Sequence, residues 1–383
     1  CFKEKCDLNF IDTEKFQFTP NKSRAIDNTS KVLIKNRLLK ILSYFNFLSQ
    51  NNTMAFKTTY LNIFDELKLS LFNKEFPSIL FNLDYKREKF SLVNRKKIFL
   101  KKNEDIFEGL IKELIIDALP RVVVEDYKNI LNVINNSKWP KFPKIIFTSN
   151  SYDGDDFFKI WAAEKVELKK SKYIIGQHGL FDSHEDLLKN SNDYQVCDHY
   201  LRWGEKKYEK DIEVFNFKLV NKKINFKKCN QIMVFVRTAG FELETYSRDQ
   251  EFQIYNNCLS KVLSNFNAHD LKETTLKLKH TFRETNPNEL YFFKKKFPLL
   301  KIDEGVESVY SLFEQTKLSI FLYFSTGVLE SLSLDIPTVF YCPKKLVYID
   351  PAEKKYLDIL NKCKILSYNE EEFIDNINFI IKD

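Results

Sequence analysis

From residue 144 onward the chain repeatedly sets a short apolar run before a stretch of helical periodicity. No other feature of the sequence constrains its fold as much. Ile145-Ile146-Phe147, Tyr173-Ile174-Ile175 and His199-Tyr200-Leu201-Arg202-Trp203 form a first series of strand-like runs. A second series comprises Ile232 to Val236, Thr275 to Lys279, Leu300 to Ile302, Leu318 to Phe324 and Thr338 to Tyr341. Helical patterns fall between them, at about 155–166, 250–265, 288–296, 306–315 and 328–334. Alternation of this kind predicts parallel sheets built from βαβ units. The expected fold is α/β, with two Rossmann-like doubly wound domains facing a cleft and a helical N-terminal region. Ligands are expected between the domains, at the carboxyl ends of the strands.

The boundaries follow from changes of character along the chain. Residues 1–138 read as a mainly helical region, with Phe64, Leu67 and Leu71, then Ile106, Leu110 and Leu114, at roughly helical spacing. Trp139-Pro140 and Pro143 mark the change to a Rossmann-like sheet over 139–205. A Lys-rich stretch over 206–229 reads as a linker. A second Rossmann-like domain spans 230–345, and helices over 346–383 are expected to return toward the N-terminal domain.

Composition removes several function classes. The chain has 383 residues, 44% hydrophobic and 30% charged, which is the balance of a globular protein rather than a disordered one. A net charge of +7 is too small to argue for a nucleic-acid partner. Seven cysteines at irregular spacing, with no CxxC pair, fit reduced thiols and neither a disulfide framework nor a zinc site. No run of about 18 uncharged apolar residues is present, so no membrane span is expected, and the reduced thiols fit a cytoplasmic location. The chain opens at Cys1 and its first Met is Met54, which reads as a fragment or a processed chain.

Glycine is scarce, with 8 in the whole chain, so each one is expected to serve a backbone purpose. Ser325-Thr326-Gly327-Val328-Leu329-Glu330 follows an apolar strand and opens a helix. Unpaired N–H groups and the helix dipole favour an anion there, so a phosphate cradle is one reading and ordinary capping the other. Gly176-Gln177-His178-Gly179 follows the strand ending at Ile175. A His between two Gly at a strand's carboxyl end is placed to contact a ligand, or else to tie down a loop. Asp153, Asp155 and Asp156 follow Asn150 and are either helix caps or a carboxylate for group transfer, with Glu185 a further candidate acid. Arg237 and Lys279 stand at strand ends, where they would neutralise phosphate charge or simply face solvent. His178, His184 and His199 with Asp182 and Glu185 match no helix-borne metal motif, and no metal is expected. The basic-aromatic runs at 95–102 and 291–296 are either solvated faces or contacts for anionic lipid.

Taken together, these segments resemble a known family. Pro143 to Asn150, Phe158 to Lys165, Gly176 to Gly179, Leu201 to Gly204, Ser325 to Glu330, Ile336-Pro337-Thr338 and Tyr356 to Leu360 occur in an order and spacing similar to bacterial surface-polysaccharide transferases, described mainly from Leptospira and from O-antigen gene clusters. The layout is more distantly similar to Kdo transferases and CDP-glycerol-type polymerases. The resemblance implies a GT-B glycosyltransferase that takes a nucleotide-sugar donor and a glycan or lipid-linked acceptor and requires no cofactor. A CMP-linked keto-sugar acid is the first donor expected, and a UDP- or GDP-hexose the second. By that analogy His178, Asp153, Asp156 and Glu185 would carry the chemistry. Ser325, Thr326, Gly327, Glu330, Arg237, Lys279, Gln177, Gly179 and Asn150 would hold the donor. Peripheral contact with the inner face of the cytoplasmic membrane is a further expectation. A polyol-phosphate transferase with His178 as base, and a non-catalytic binding module of the same fold, are the alternatives.

Overall fold

The computed structural model describes residues 45–383 apart from 79, 93–94, 96–105, 180–188, 237–245, 279–286, 304–306, 345, 347–350, 352 and 383. All of these belong to one compact unit, Leu42–Asp383.

Two parallel sheets organise that unit. The first contains β1 (Met54–Lys57), β2 (Ile145–Thr148), β3 (Lys172–Gly176), β4 (His199–Trp203) and β5 (Asp211–Val214), side by side in chain order. The second contains β6 (Gln231–Phe235), β7 (Thr274–Lys277), β8 (Lys301–Asp303), β9 (Thr316–Phe321), β10 (Thr338–Tyr341) and β11 (Leu366–Ser367). Its spatial order is β11-β10-β9-β6-β7-β8. Numbered from β6, this is 6-5-4-1-2-3, the doubly wound Rossmann order, with its reversal between β6 and β9. The expectation of two parallel α/β sheets in one chain is met.

The longer helices are α1 (Ile63–Phe72), α2 (Ile106–Ala118), α3 (Tyr127–Asn136), α4 (Asp156–Lys169), α5 (Tyr246–Ser264), α6 (Pro287–Lys296), α7 (Thr326–Ser333), α8 (Lys354–Lys362) and α9 (Glu370–Lys382). Local chemistry sets several of their ends. Asn62 caps α1 by accepting from the Phe64 and Asp65 amides, and Asp155 caps α4 by accepting from Phe158 N–H. Lys170 closes α4 in the left-handed region.

The strand sequences explain the layering. Along β6 and just beyond, Ile232, Val234 and Val236 enter one core while Met233 and Phe235 enter the other. On β10, Val339 and Tyr341 take the first side and Phe340 the second. Both faces of the second sheet are therefore covered, which is why its strands read as continuous apolar runs. The first sheet is lopsided. Ala55, Ile146, Tyr173, Ile175 and Tyr200 pack with Ile130, Ile134, Phe158 and Trp161 from α3 and α4. Its other face holds a smaller cluster of Phe56, Phe147 and Phe217. Right-handed crossovers that always advance in one direction place their helices on the same face, and the strand order 1-2-3-4-5 has that consequence.

Three strands differ from the sequence expectation. β1 lies inside the region read as helical and pairs in register with β2, Met54 opposite Ile145. β5 lies inside the stretch read as linker, where the buried Arg202–Asp211 ion pair, 2.6 Å, helps dock it on β4. β11 is a two-residue addition beside β10. The C-terminal helices pack mainly on the second sheet, with Leu357 in one of its cores and Phe373 and Ile377 in the other. Near the start of α8, Glu353 pairs with Lys207, and Tyr356 Oη donates to Glu205 Oε2 at 2.9 Å. Both partners lie in the loop after β4.

Candidate active site

Four residues separate α7 from β9, so its N-terminus stands at the reversal point of the second sheet, where open α/β sheets bind their ligands. Ser325 occupies the N-cap position with extended backbone, yet its side chain makes no capping hydrogen bond. The first turn of α7 therefore lacks the usual side-chain acceptor, the condition under which a helix start receives an external anion. Gly327 has a packing reason. A Cβ there would stand 2.8 Å from Phe321 Cε1, and the Phe321 ring is itself stacked on Phe235 with centroids 4.4 Å apart.

The two segments singled out in the sequence meet. A Cβ on Gly179 would lie 2.6 Å from Thr326 Oγ1, so the loop after β3 is seated directly on the first residue of α7. Gly176 permits a second close approach, since a Cβ there would fall 2.4 Å from Ser149 Oγ. Between the two glycines, Gln177 is buried and fully engaged. Its Nε2 donates to Gly179 O at 3.0 Å, and its Oε1 accepts from the Trp203 amide at 2.7 Å. Gln177 thus shapes the loop, while the next residue, His178, is exposed. His178 Nδ1 lies 2.5 Å from Tyr60 Oη.

Two residues that sequence reasoning passed over complete the cluster. Tyr60 follows β1 with a left-handed φ of 67°, unusual for a bulky residue. Lys218, on a short 3-10 turn at Phe217–Leu219, places its ammonium 4.5 Å from the centroid of the Tyr60 ring. It also pairs with Glu330 Oε1 at 3.3 Å. Glu330 sits one turn after Thr326 on α7, so these contacts run from α7 through Lys218 and Tyr60 to His178, and return through Gly179 to Thr326. Burial holds the Lys222 ammonium below its ordinary range, with Glu330 and Glu314 opposing that shift. No local motif marks Tyr60 or Lys218: the first lies 118 residues from His178 in sequence, and the second is one Lys among many.

A cleft of about 670 Å³ adjoins this cluster, lined among others by Trp203, Phe215, Leu219, Lys222, Leu329 and Leu332. One wall comes from the first sheet and the linker, the other from α7. The Trp203 indole N–H is buried with no hydrogen-bond partner among the described residues.

The acidic candidates follow Asn150 in the chain. Asn150 occupies the N-cap of the short turn Ser151–Gly154 without a side-chain capping bond. Asp153 is exposed, and its main-chain oxygen accepts from Lys159 Nζ at 2.9 Å. Asp156 pairs with Lys159 at 2.8 Å on the surface of α4. Asp155 is the capping residue, and it also pairs with the buried Lys57 at 3.0 Å. Glu185, Arg237 and Lys279 lie outside the described residues. Among the described residues no group of three or more His, Cys, Asp and Glu side chains is placed to hold a metal ion. No described helix is long and apolar enough to cross a membrane.

The fold and this cluster define an α/β protein with a helix start lacking a side-chain cap at the switch point of a Rossmann-ordered sheet, faced by a His-bearing loop from a second sheet. The chain belongs to the LIC12162 family of transferases, whose model matches residues 1–383. The family resemblance read from the sequence is thereby met, and the protein is a transferase. Among solved structures, the apo form of a lipopolysaccharide outer core galactosyltransferase, WaaB, matches over 85% of this chain and 94% of that one. The identity is 11% and the TM-score 0.32, and at that score neither its fold detail nor its activity is carried to this chain. No curated protein matches.

Proposed function

We propose that this transferase is a GT-B-type glycosyltransferase moving a sugar from a nucleotide-activated donor to a surface-polysaccharide or lipid-linked acceptor. The observation that carries the reading is the seating of Gly179 on Thr326, which joins the His178 loop of one sheet to the uncapped start of α7 in the other. In this reading the α7 amides, with the Ser325 and Thr326 hydroxyls, receive the donor's phosphates. Arg237 and Lys279 neutralise charge from the neighbouring strand ends. The sugar lies against His178 and Asn150, and Asp153 or Asp156 supplies the carboxylate. The apolar cleft beside Trp203 takes the acceptor side. Leaving-group charge is handled by these donors and cations, without a bound metal. The donor is a CMP-linked sugar acid first and a UDP- or GDP-hexose second. The exposed Phe107, Leu110 and Leu114 of α2 suit contact with the inner face of the membrane where a lipid-linked acceptor would lie.

A thermal-shift panel of CMP, CDP, UDP, GDP, ADP and dTDP, without and then with Mg²⁺, tests this. One nucleotide is expected to raise the melting temperature without metal, and Ser325→Ala to weaken its binding about tenfold, the loss of one hydrogen bond to a charged group. A folded protein that responds to none of them overturns the reading.

A further inference from the structure

We propose that Tyr60 is a positioning residue that fixes the tautomer of His178, donating its hydroxyl proton to Nδ1 so that the neutral imidazole carries its own proton on Nε2. The inference rests on the reading above only in placing His178 beside the reacting atoms. Its consequence is that His178 acts as a hydrogen-bond donor toward the departing oxygen and not as the base that deprotonates the acceptor.

The contact itself is short, 2.5 Å between Tyr60 Oη and His178 Nδ1, and the two rings are tilted at 52° with centroids 5.6 Å apart. Either atom can in principle donate. A phenol, with pKa about 10, is a far stronger acid than a neutral imidazole N–H, and the imidazole imine nitrogen, whose conjugate acid has pKa about 6.5, is a far stronger base than a phenol oxygen. Both differences favour O–H···N over N–H···O. Lys218 adds to the bias. Its ammonium lies over the Tyr60 ring at 4.5 Å, where it draws electron density toward the ring face and makes the hydroxyl the better donor. Glu330 holds that ammonium from the other side. Tyr60 is held in place at a backbone cost, with φ of 67°, and non-glycine residues in that region persist where the surrounding structure requires them. Thr58, two residues earlier, shares the left-handed conformation at φ 50°. The turn after β1 is therefore bent twice to bring the phenol to the loop after β3.

With the Nε2 proton retained throughout, the acceptor's hydroxyl proton must pass to a carboxylate. This arrangement belongs to glycosyl transfer with a donor-stabilised leaving phosphate. Phosphoryl transfer with His178 as base would need the opposite tautomer.

The tautomer is read directly by long-range proton–nitrogen correlation NMR on the full chain with ¹⁵N-labelled histidine at pH 8. The chain has five His, and the His178 signals are those lost in His178→Gln. The native spectrum is expected to show His178 as a single Nε2–H form, with Nδ1 shifted as a hydrogen-bond acceptor. Tyr60→Phe keeps the ring under Lys218 and removes only the hydroxyl. It is expected to lose the Nδ1 shift and give a tautomer mixture. A native spectrum with the proton on Nδ1, or native and Tyr60→Phe spectra that coincide, overturns the inference. The native spectrum decides the tautomer even if the variant does not fold. If no nucleotide binds but the Nε2–H signature is present, the proposed function fails and the Tyr60–His178 assignment stands.

Discussion

At the scale of single residues, the site depends on close approaches that leave no room for a side chain. Gly179 is not held in a left-handed conformation, so the restriction there is one of space, not of backbone freedom. Its missing Cβ would press on Thr326 Oγ1 at 2.6 Å, while Thr326 Cβ and Cγ2 would lie at ordinary contact distances of 3.7 and 3.8 Å. Thr is stiff about χ1, so it does not simply swing away. Gly179→Ala is therefore expected to destabilise the protein by about 1–3 kcal/mol, the usual range for overpacking. Adding Thr326→Ala removes the offending oxygen and is expected to restore most of that stability. Nucleotide binding should not return in the double variant, because the hydroxyl proposed to receive phosphate is gone. Denaturant unfolding and nucleotide titration of both single variants and the double variant form the cycle. Additive stability losses would show that the two residues do not meet.

At the scale of elements, what was legible in the sequence follows from burial. Strands such as β6, β9 and β10 are covered on both faces, so their sequences are unbroken apolar runs and stand out. β1 is four residues, Met54-Ala55-Phe56-Lys57, and its Lys57 is buried by pairing with Asp155. β5 is Asp211-Ile212-Glu213-Val214 at a sheet edge, with Ile212 and Glu213 exposed and Asp211 buried by Arg202. Ion pairs made by residues distant in sequence allow polar side chains inside these strands, and such pairs leave no local signal. The candidate site divides the same way. Gly176 to Gly179 and Ser325 to Gly327 were visible because glycine is rare here, whereas Tyr60 and Lys218 reach the site only through the fold. Arg95 shows the effect on a helix end. It belongs to a run that reads as a solvated basic face, yet its guanidinium is buried, donates to the Ile116 and Leu119 carbonyls at 2.8 Å each, and forks onto Glu125 at 2.7 Å. It thus closes the C-terminal turn of α2. The hydrogen bond from Arg95 holds the Glu125 carboxyl below its ordinary 4.5, against the opposing effect of burial. A carboxyl depressed in the folded state contributes stability that is complete above its unfolded value and is lost as pH falls through its folded value. The melting temperature is therefore expected to drop from about pH 5 downward, and the drop should be shallower in Glu125→Gln. At pH 7 that variant should lose about 3–5 kcal/mol, the usual result of breaking a buried pair. An acid limb unchanged in Glu125→Gln would remove this pair from the account.

At the scale of the whole molecule, the two sheets have cores of their own, and the connection between them includes the 3-10 turn at Phe217–Leu219. Phe217 enters the small core of the first sheet, Lys218 bridges to Glu330, and Leu219 packs against the second sheet's core. Three successive residues thus serve the first sheet, the junction and the second sheet in turn. Besides the approach of Gly179 to Thr326, the contacts of Lys207 with Glu353 and Tyr356 with Glu205 across the junction are polar and partly exposed, and pairs of that kind contribute about 0–1 kcal/mol each. Such a junction couples the sheets weakly, so unfolding should depart from two-state behaviour. The three tryptophans make this measurable, because Trp139, Trp161 and Trp203 all belong to the first sheet and its helices. Tryptophan fluorescence then follows mainly the first sheet, with Trp203 also sensing the cleft wall formed by α7, while far-ultraviolet circular dichroism follows both. In urea the two signals are expected to give separate midpoints. A nucleotide held at α7 should move mainly the transition seen by dichroism, by about 2.7 kcal/mol at one hundred times its Kd, and leave the tryptophan midpoint nearly in place. Coincident transitions that shift together would mean the junction is far stronger than its polar contacts suggest. The seating of Gly179 on Thr326 would then be a structural joint between the sheets as well as part of the site, and Gly179→Ala should separate the two midpoints.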